Sequence, residues 1–181
     1  LRSGAKVGDL IFVTGALGGA AAGLKLLEEG FRYNSAEKLW RKNLLLKQLA
    51  PFPQVAAGSR IGGKNLATSM IDLSDGLSSD LAHICRESRS GARLFAEKIP
   101  LHKNLGALTN SFDESLKLAL DGGEDFELLF TVSPKKISRL RREFVNFPFH
   151  KIGEITANAG IIELIAGADS RFLDARGFRH F

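Results

Sequence analysis

This 181-residue sequence has one cysteine, one methionine and 5 prolines, and no apolar run near the roughly 18 residues that would span a bilayer. Each shortage excludes something. The lone Cys85 cannot form an internal disulfide and has no Cys or His at metal-ligand spacing, which fits a reducing compartment and a place in a helix core. No charged, apolar and small-residue order marks the N-terminus as a signal peptide, so a cytoplasmic protein without membrane contact is expected. The first residue is Leu1 and the single methionine is Met70, so the sequence reads as a piece of a longer protein.

With 44% apolar and 25% charged residues, the composition is that of a compact globular domain rather than a disordered, collagenous or disulfide-stapled chain. Lys plus Arg number 25 against 20 for Asp plus Glu, a net charge of +5. This favours an anionic partner, and nucleic acid, nucleotide and phosphate ester all qualify. The densest basic run, Lys135, Lys136, Arg139, Arg141 and Arg142, falls on a segment whose Ile137, Leu140 and Phe144 repeat at helical spacing. No aromatics are interleaved with it, so it reads as a solvated helix face.

Along the chain, Leu10 to Val13 reads as a buried strand, closed by Thr14-Gly15. The small residues Gly18 to Gly23 open a helix that Glu28-Glu29-Gly30 ends. A second helix is expected from a Ser35 cap to about Leu49, with Leu39, Trp40, Leu44, Leu45 and Leu49 on its apolar side and Pro51 and Pro53 beyond it. Ala67 to Leu73 reads as a buried strand and Asp75 to Ser88 as a helix with a stripe of Leu77, Leu81, Ile84 and Cys85. A strand near Ala92 to Ala96 and a helix from near Asp113 to Leu120 follow. Phe126, Leu128, Phe130 and Val132 alternate with Glu127, Leu129 and Thr131 as in a half-buried strand. Ile152 to Ile155 and Ile161 to Ile165 read as a terminal hairpin through Asn158-Ala159-Gly160. The whole is one α+β domain with a mixed sheet packed against helices.

Two stretches carry candidate chemistry. Asp72 at a strand end and Asp75 at a helix start can converge on one divalent cation. Beside them, free turn amides and the Ser74 hydroxyl suit a phosphate oxygen. The plain alternative is that Ser74 or Asp75 caps the helix and Asp72 is an ordinary turn acid. In Asp121-Gly122-Gly123-Glu124-Asp125, continued by Glu127, two glycines break an acidic run at the head of a strand. Such acids can hold a cationic group or a metal, or simply be solvated after a helix end. His83, His102, His150 and His180 show no zinc spacing and read as structural or exposed. Gly15 to Gly23 lacks the ending of a P-loop and the spacing of a dinucleotide fingerprint, so close helix packing is the better reading.

Five motifs occur in a definite order: Arg2-Ser3-Gly4-Ala5 with Gly8-Asp9, Val13 to Gly18, Asp72-Leu73-Ser74-Asp75-Gly76-Leu77, Gly122-Gly123-Glu124-Asp125-Phe126-Glu127-Leu128, and Gly177-Phe178-Arg179-His180-Phe181. Together they resemble the thiamine-monophosphate kinase family over essentially the whole chain. The resemblance is to that family's C-terminal domain, the α+β half of an architecture shared with aminoimidazole ribonucleotide synthetase and selenophosphate synthetase. It implies ATP-dependent phosphorylation of thiamine phosphate to thiamine diphosphate, by direct in-line transfer with Mg²⁺. It also implies Asp72 and Asp75 as Mg²⁺ ligands, Ser74 and Arg2 as nucleotide contacts, and Glu124 and Phe178 as acceptor-site residues. Gln54 stands where the family usually carries an arginine.

The resemblance further implies residues 1–181 as a single C-terminal domain whose N-terminal ATP- and metal-binding partner domain lies outside this sequence. The parent would be a homodimer through that domain, and the piece alone inactive. Two readings stand against it. One is another ATP-dependent kinase or synthetase of the same superfamily, the other a non-catalytic nucleotide or nucleic-acid binding module.

Overall fold

The computed structural model describes residues 1–34 and 36–174. Among these residues are seven strands, most of them built from short apolar runs: β1 (Leu10–Thr14), β2 (Ser69–Asp72), β3 (Gly91–Phe95), β4 (Leu128–Val132), β5 (Phe149–Thr156), β6 (Ile162–Ala166) and β7 (Asp169–Phe172). Six helices accompany them: α1 (Gly19–Glu28), α2 (Leu39–Leu49), α3 (Val55–Gly63), α4 (Leu77–Ser88), α5 (Phe112–Asp121) and α6 (Ile137–Glu143). The strands form one mixed sheet in the order β2-β4-β1-β5-β3-β6-β7. All pairs are antiparallel except β3 with β6. The α+β expectation holds.

Both faces of the sheet are covered, because the strand period of two sends alternate side chains to different cores. Ile11, Val13 and Leu129 pack with Leu77, Leu81, Ile84 and Cys85 of α4 and Leu116, Ala119 and Leu120 of α5. Phe12, Phe130 and Val132 pack on the other side with Ala57 and Ile61 of α3, Leu140 of α6 and Phe144 at its C-terminal end. The stripe read for α4 is therefore its core face, with Cys85 within it and its thiol pushed up to about 12 by burial. The basic residues Lys135, Arg139, Arg141 and Arg142 lie outside, exposed, as a solvated face. A third cluster joins α1 to α2 through Ala22, Leu26, Leu44 and Leu45. A methyl group on Gly23 would stand 2.3 Å from the Leu44 carbonyl oxygen, so small residues are what let these two helices approach.

Several expectations need correction. The segments around Ile152 and Ile162 are no hairpin: β3 lies between β5 and β6, and β6 turns back through Gly167 to pair with β7. The chain between them crosses over β3, with the Ile161 carbonyl accepting from Ala92 N–H and the Ser90 carbonyl from Gly160 N–H. Local turn signals could not reveal an inserted strand. β4 is not half-buried: it is the second strand in from the β2 edge, Leu129, Phe130 and Thr131 are all inaccessible, and Phe126, at φ +50°, precedes it in a loop. The Ala67 to Leu73 strand is shorter, Ser69–Asp72, and lies at the sheet edge with Asp72 exposed.

Among the helices, α2 begins at Leu39, and the expected Ser35 cap lies outside the described residues. Leu39 and Leu49 are exposed, because α1 covers only the Leu44 and Leu45 side. Helix α3, hidden behind Pro51 and Pro53 and rich in glycine, was not anticipated. Among the described residues no helix is long and apolar enough to cross a membrane.

Candidate active site

Strand β2 ends at Asp72 and the chain turns through Leu73, Ser74 and Asp75 before Gly76, at φ +101°, opens α4. The helix begins at Leu77 rather than Asp75, so neither Ser74 nor Asp75 is its cap, and no side chain caps it at Gly76. The first-turn carboxylate of Asp80 reaches back instead: one of its oxygens accepts the N–H groups of Ser74 at 3.1 Å and Asp75 at 3.0 Å. These amides are therefore engaged, which corrects the expectation of free donors for a phosphate. The Ser74 hydroxyl and the two acid side chains remain for a ligand.

The second acidic motif lies directly against this turn. Glu124 N–H donates to the Ser74 carbonyl, Phe126 N–H to the Leu73 carbonyl, and Leu73 N–H to the Glu127 carbonyl, all at 2.8 to 2.9 Å. A side chain on Gly76 would press on the carbonyl of Gly122 at 2.9 Å, so the contact between the loops needs a glycine there. Glu124 and Phe126 take positive φ values of 66° and 50°, and this left-handed path keeps the loop against the turn. The turn carrying Asp72, Ser74 and Asp75 is thus brought against Glu124 from a distant part of the chain.

Behind Glu124 the acids are not solvated. Asp125, 4% exposed, accepts from Gly18 N–H at 2.7 Å and Ala20 N–H at 3.1 Å, closing the N-terminus of α1. Glu127, 3% exposed, accepts from the Thr14 hydroxyl at 2.7 Å and faces the Lys47 ammonium at 3.4 Å. The neighbouring Gln48 amide donates to the Glu124 carboxylate. Burial pushes the Asp125 carboxyl up to about 6 against the pull of the Gly18 and Ala20 amides and of Lys47. Sequence reasoning missed Lys47, Gln48 and Asp80. Only Asp80 had a local signal, as an acid in the first turn of a helix that a glycine opens.

Burial likewise lifts Asp80 to about 6, with the fields of Asp75 and Asp72 adding to it. Asp75, Asp80 and His83 each offer a ligand atom within 4.8 Å of the others. This qualifies the reading of His83 as merely structural: Asp80 and His83 are one helical turn apart, and Asp75 joins them from the loop. A ring nitrogen of His83 also lies 2.6 Å from the Arg86 guanidinium. Hard oxygen donors crowded beside an exposed acid fit a small divalent cation. Arg2 is exposed in the N-terminal segment, which runs beside β2 and is tied to it where Met70 N–H meets the Leu1 carbonyl. Phe178 lies outside the described residues.

The fold is that of a known domain class. The chain belongs to the family of AIR synthase related proteins, whose C-terminal domain model matches residues 6–165. It is similar to the thiamine-monophosphate kinase of Buchnera aphidicola subsp. Schizaphis graminum, with 39% identity over 100% of this chain and 55% of that protein. Two solved structures share the fold. Thiamine-monophosphate kinase from Stenotrophomonas maltophilia K279a has a TM-score of 0.80 and 32% identity, covering 94% of this chain and 53% of that one. AaThiL complexed with AMPPCP and TMP has a TM-score of 0.78 and 27% identity, covering 99% and 53%. The chain spans about half the length of the curated relatives it matches.

Proposed function

We propose that this chain is the C-terminal domain of a two-domain kinase that uses ATP to phosphorylate thiamine phosphate to thiamine diphosphate. The observation that carries the reading is the backbone stitching of the Asp72 to Asp75 turn to the Gly122 to Glu127 loop, which brings cation-type acids beside an acceptor-type acid. The relatives' name and the ATP-analogue complex of AaThiL support it.

In this reading a phosphate oxygen of thiamine phosphate attacks the γ-phosphorus of ATP in line. A new P–O bond forms as the bond to the bridging oxygen breaks, and ADP leaves. Asp72 and Asp75 would hold Mg²⁺, which when bound neutralises charge on the transferred and leaving phosphates. The Ser74 hydroxyl donates to a nucleotide phosphate, and Arg2 adds a guanidinium contact to ATP. Glu124 complements the cationic thiamine ring system, for which Phe178 would supply an aromatic partner. The remaining half of the relatives' length corresponds to an N-terminal domain that supplies further metal ligands and the homodimer contact, and the protein works in the cytoplasm.

The test is kinetic, on the protein extended to full family length. Asp72→Asn and Asp75→Asn should each raise the Mg²⁺ requirement by about tenfold or more, while Glu124→Ala should raise KM for thiamine phosphate with little change for ATP. Wild-type rates and Mg²⁺ dependence in both aspartate variants would overturn the metal assignment. Salt-dependent binding of RNA or DNA with no response to thiamine phosphate would favour a binding module instead.

A further inference from the structure

We propose that Asp80 is a positioning residue that sets the 72–76 turn as a cation site, an inference that rests on the metal reading of Asp72 and Asp75. A strand-to-helix turn with exposed amides is ordinarily an anion receptor, since its N–H groups point outward at a helix N-terminus. Here the two amides that would serve are taken by one oxygen of a side chain only 1% exposed. Asp80 fills the receptor with the protein's own carboxylate.

That changes what the turn can bind. Other main-chain groups of the turn are committed too: Leu73 N–H and carbonyl go to Glu127 and Phe126, and the Ser74 carbonyl goes to Glu124. With Leu73 and Ser74 held on both their donor and acceptor sides and Asp75 at its N–H, Asp72 and Asp75 leave the turn at set positions. A phosphate approaching this turn meets negative charge, so a cation must stand between them. Asp80 therefore acts through Ser74 and Asp75, much as an outer-shell partner orients a metal ligand.

The test uses this chain, Mn²⁺ as probe, and four variants. Mn²⁺ affinity is read by water-proton relaxation, and the state of the Ser74 and Asp75 amides by hydrogen exchange without metal. Asp80→Asn keeps a carbonyl oxygen able to accept both N–H groups, so amide protection should persist and Mn²⁺ Kd should stay within about threefold. Asp80→Ala should release both amides and weaken Mn²⁺ by about tenfold or more, at a temperature where the protein is folded. If Asp80→Ala unfolds, Asp80→Ser, too short to reach both amides, carries the same expectation.

Unchanged Mn²⁺ affinity or unchanged amide protection in the folded Ala or Ser variant would overturn the proposal. So would an Asn variant that loses as much affinity as Ala, which would make the carboxylate itself a ligand. Asp75→Asn separates the two levels. If it leaves Mn²⁺ binding intact, the metal reading fails, whereas if it abolishes binding that Asp80→Ala spares, only the positioning role fails.

Discussion

Two glycine-containing turns lead from a strand into a helix in this molecule, and both are closed by a buried carboxylate that accepts two main-chain N–H groups. At α4 the acid is Asp80, from the helix's own first turn. At α1 it is Asp125, which arrives from the acidic loop 107 residues after Gly18. The difference is one of reach. A local cap folds with its helix and leaves the neighbouring acids Asp72 and Asp75 free for a ligand. A distant cap fastens the acidic loop to the N-terminus of α1, one residue from Glu124, whose own N–H meets the Ser74 carbonyl.

The sharpest way to break that comparison is to remove each cap. Asp125→Ala should leave two fully buried amides unpaired and lower stability by about 2–4 kcal/mol. Asp80→Ala exposes part-buried amides and should cost about 1–2 kcal/mol. Urea unfolding of both variants checks the order, and a larger loss for Asp80 would reverse it.

A pH series sharpens it further. Burial raises the Asp125 carboxyl from 3.8 to about 6, so in this range the folded protein binds a proton more tightly than the unfolded chain does. The stability this confers is fully present below about pH 3.8 and is lost as the pH rises through about 6. Asp125→Asn cannot titrate, and its melting temperature should therefore fall less than the wild type's between these values. Equal slopes would show that Asp125 ionises as it does in the unfolded chain.

The smallest effect belongs to a control. Ser111 caps α5 in the ordinary way, its exposed hydroxyl accepting the Glu114 N–H at 3.1 Å. Ser111→Ala should cost about 0.5–1 kcal/mol in the same urea assay, without a change in pH slope. A loss matching Asp125→Ala would remove the distinction between water-accessible and buried caps.

The same contrast explains what could be read from the sequence. The α4 stripe was legible because Leu77, Leu81, Ile84 and Cys85 repeat within one element that buries one face. Asp72 and Asp75 were legible as a pair because a turn brings near neighbours together. What failed was non-local. Nothing near Asp125 says that it caps α1, nothing in Ile152 to Ile165 shows that β3 lies between those strands, and the alternation of β4 is silent about helices on both faces. Leu39 and Leu49 misled for a related reason: periodicity finds an apolar side, but only packing decides which part of it is covered.

The sheet order bears on how the chain reaches this state. Strand β1 lies between β4 and β5, with Leu10 facing Val132 on one side and Glu154 on the other. During synthesis the first strand emerges with neither neighbour yet made, and its Leu-Ile-Phe-Val run stays unpaired until most of the chain is out. Such long-range closure slows folding and prolongs the exposure of sticky, aggregation-prone segments. The centre of the sheet is thus begun early and completed late.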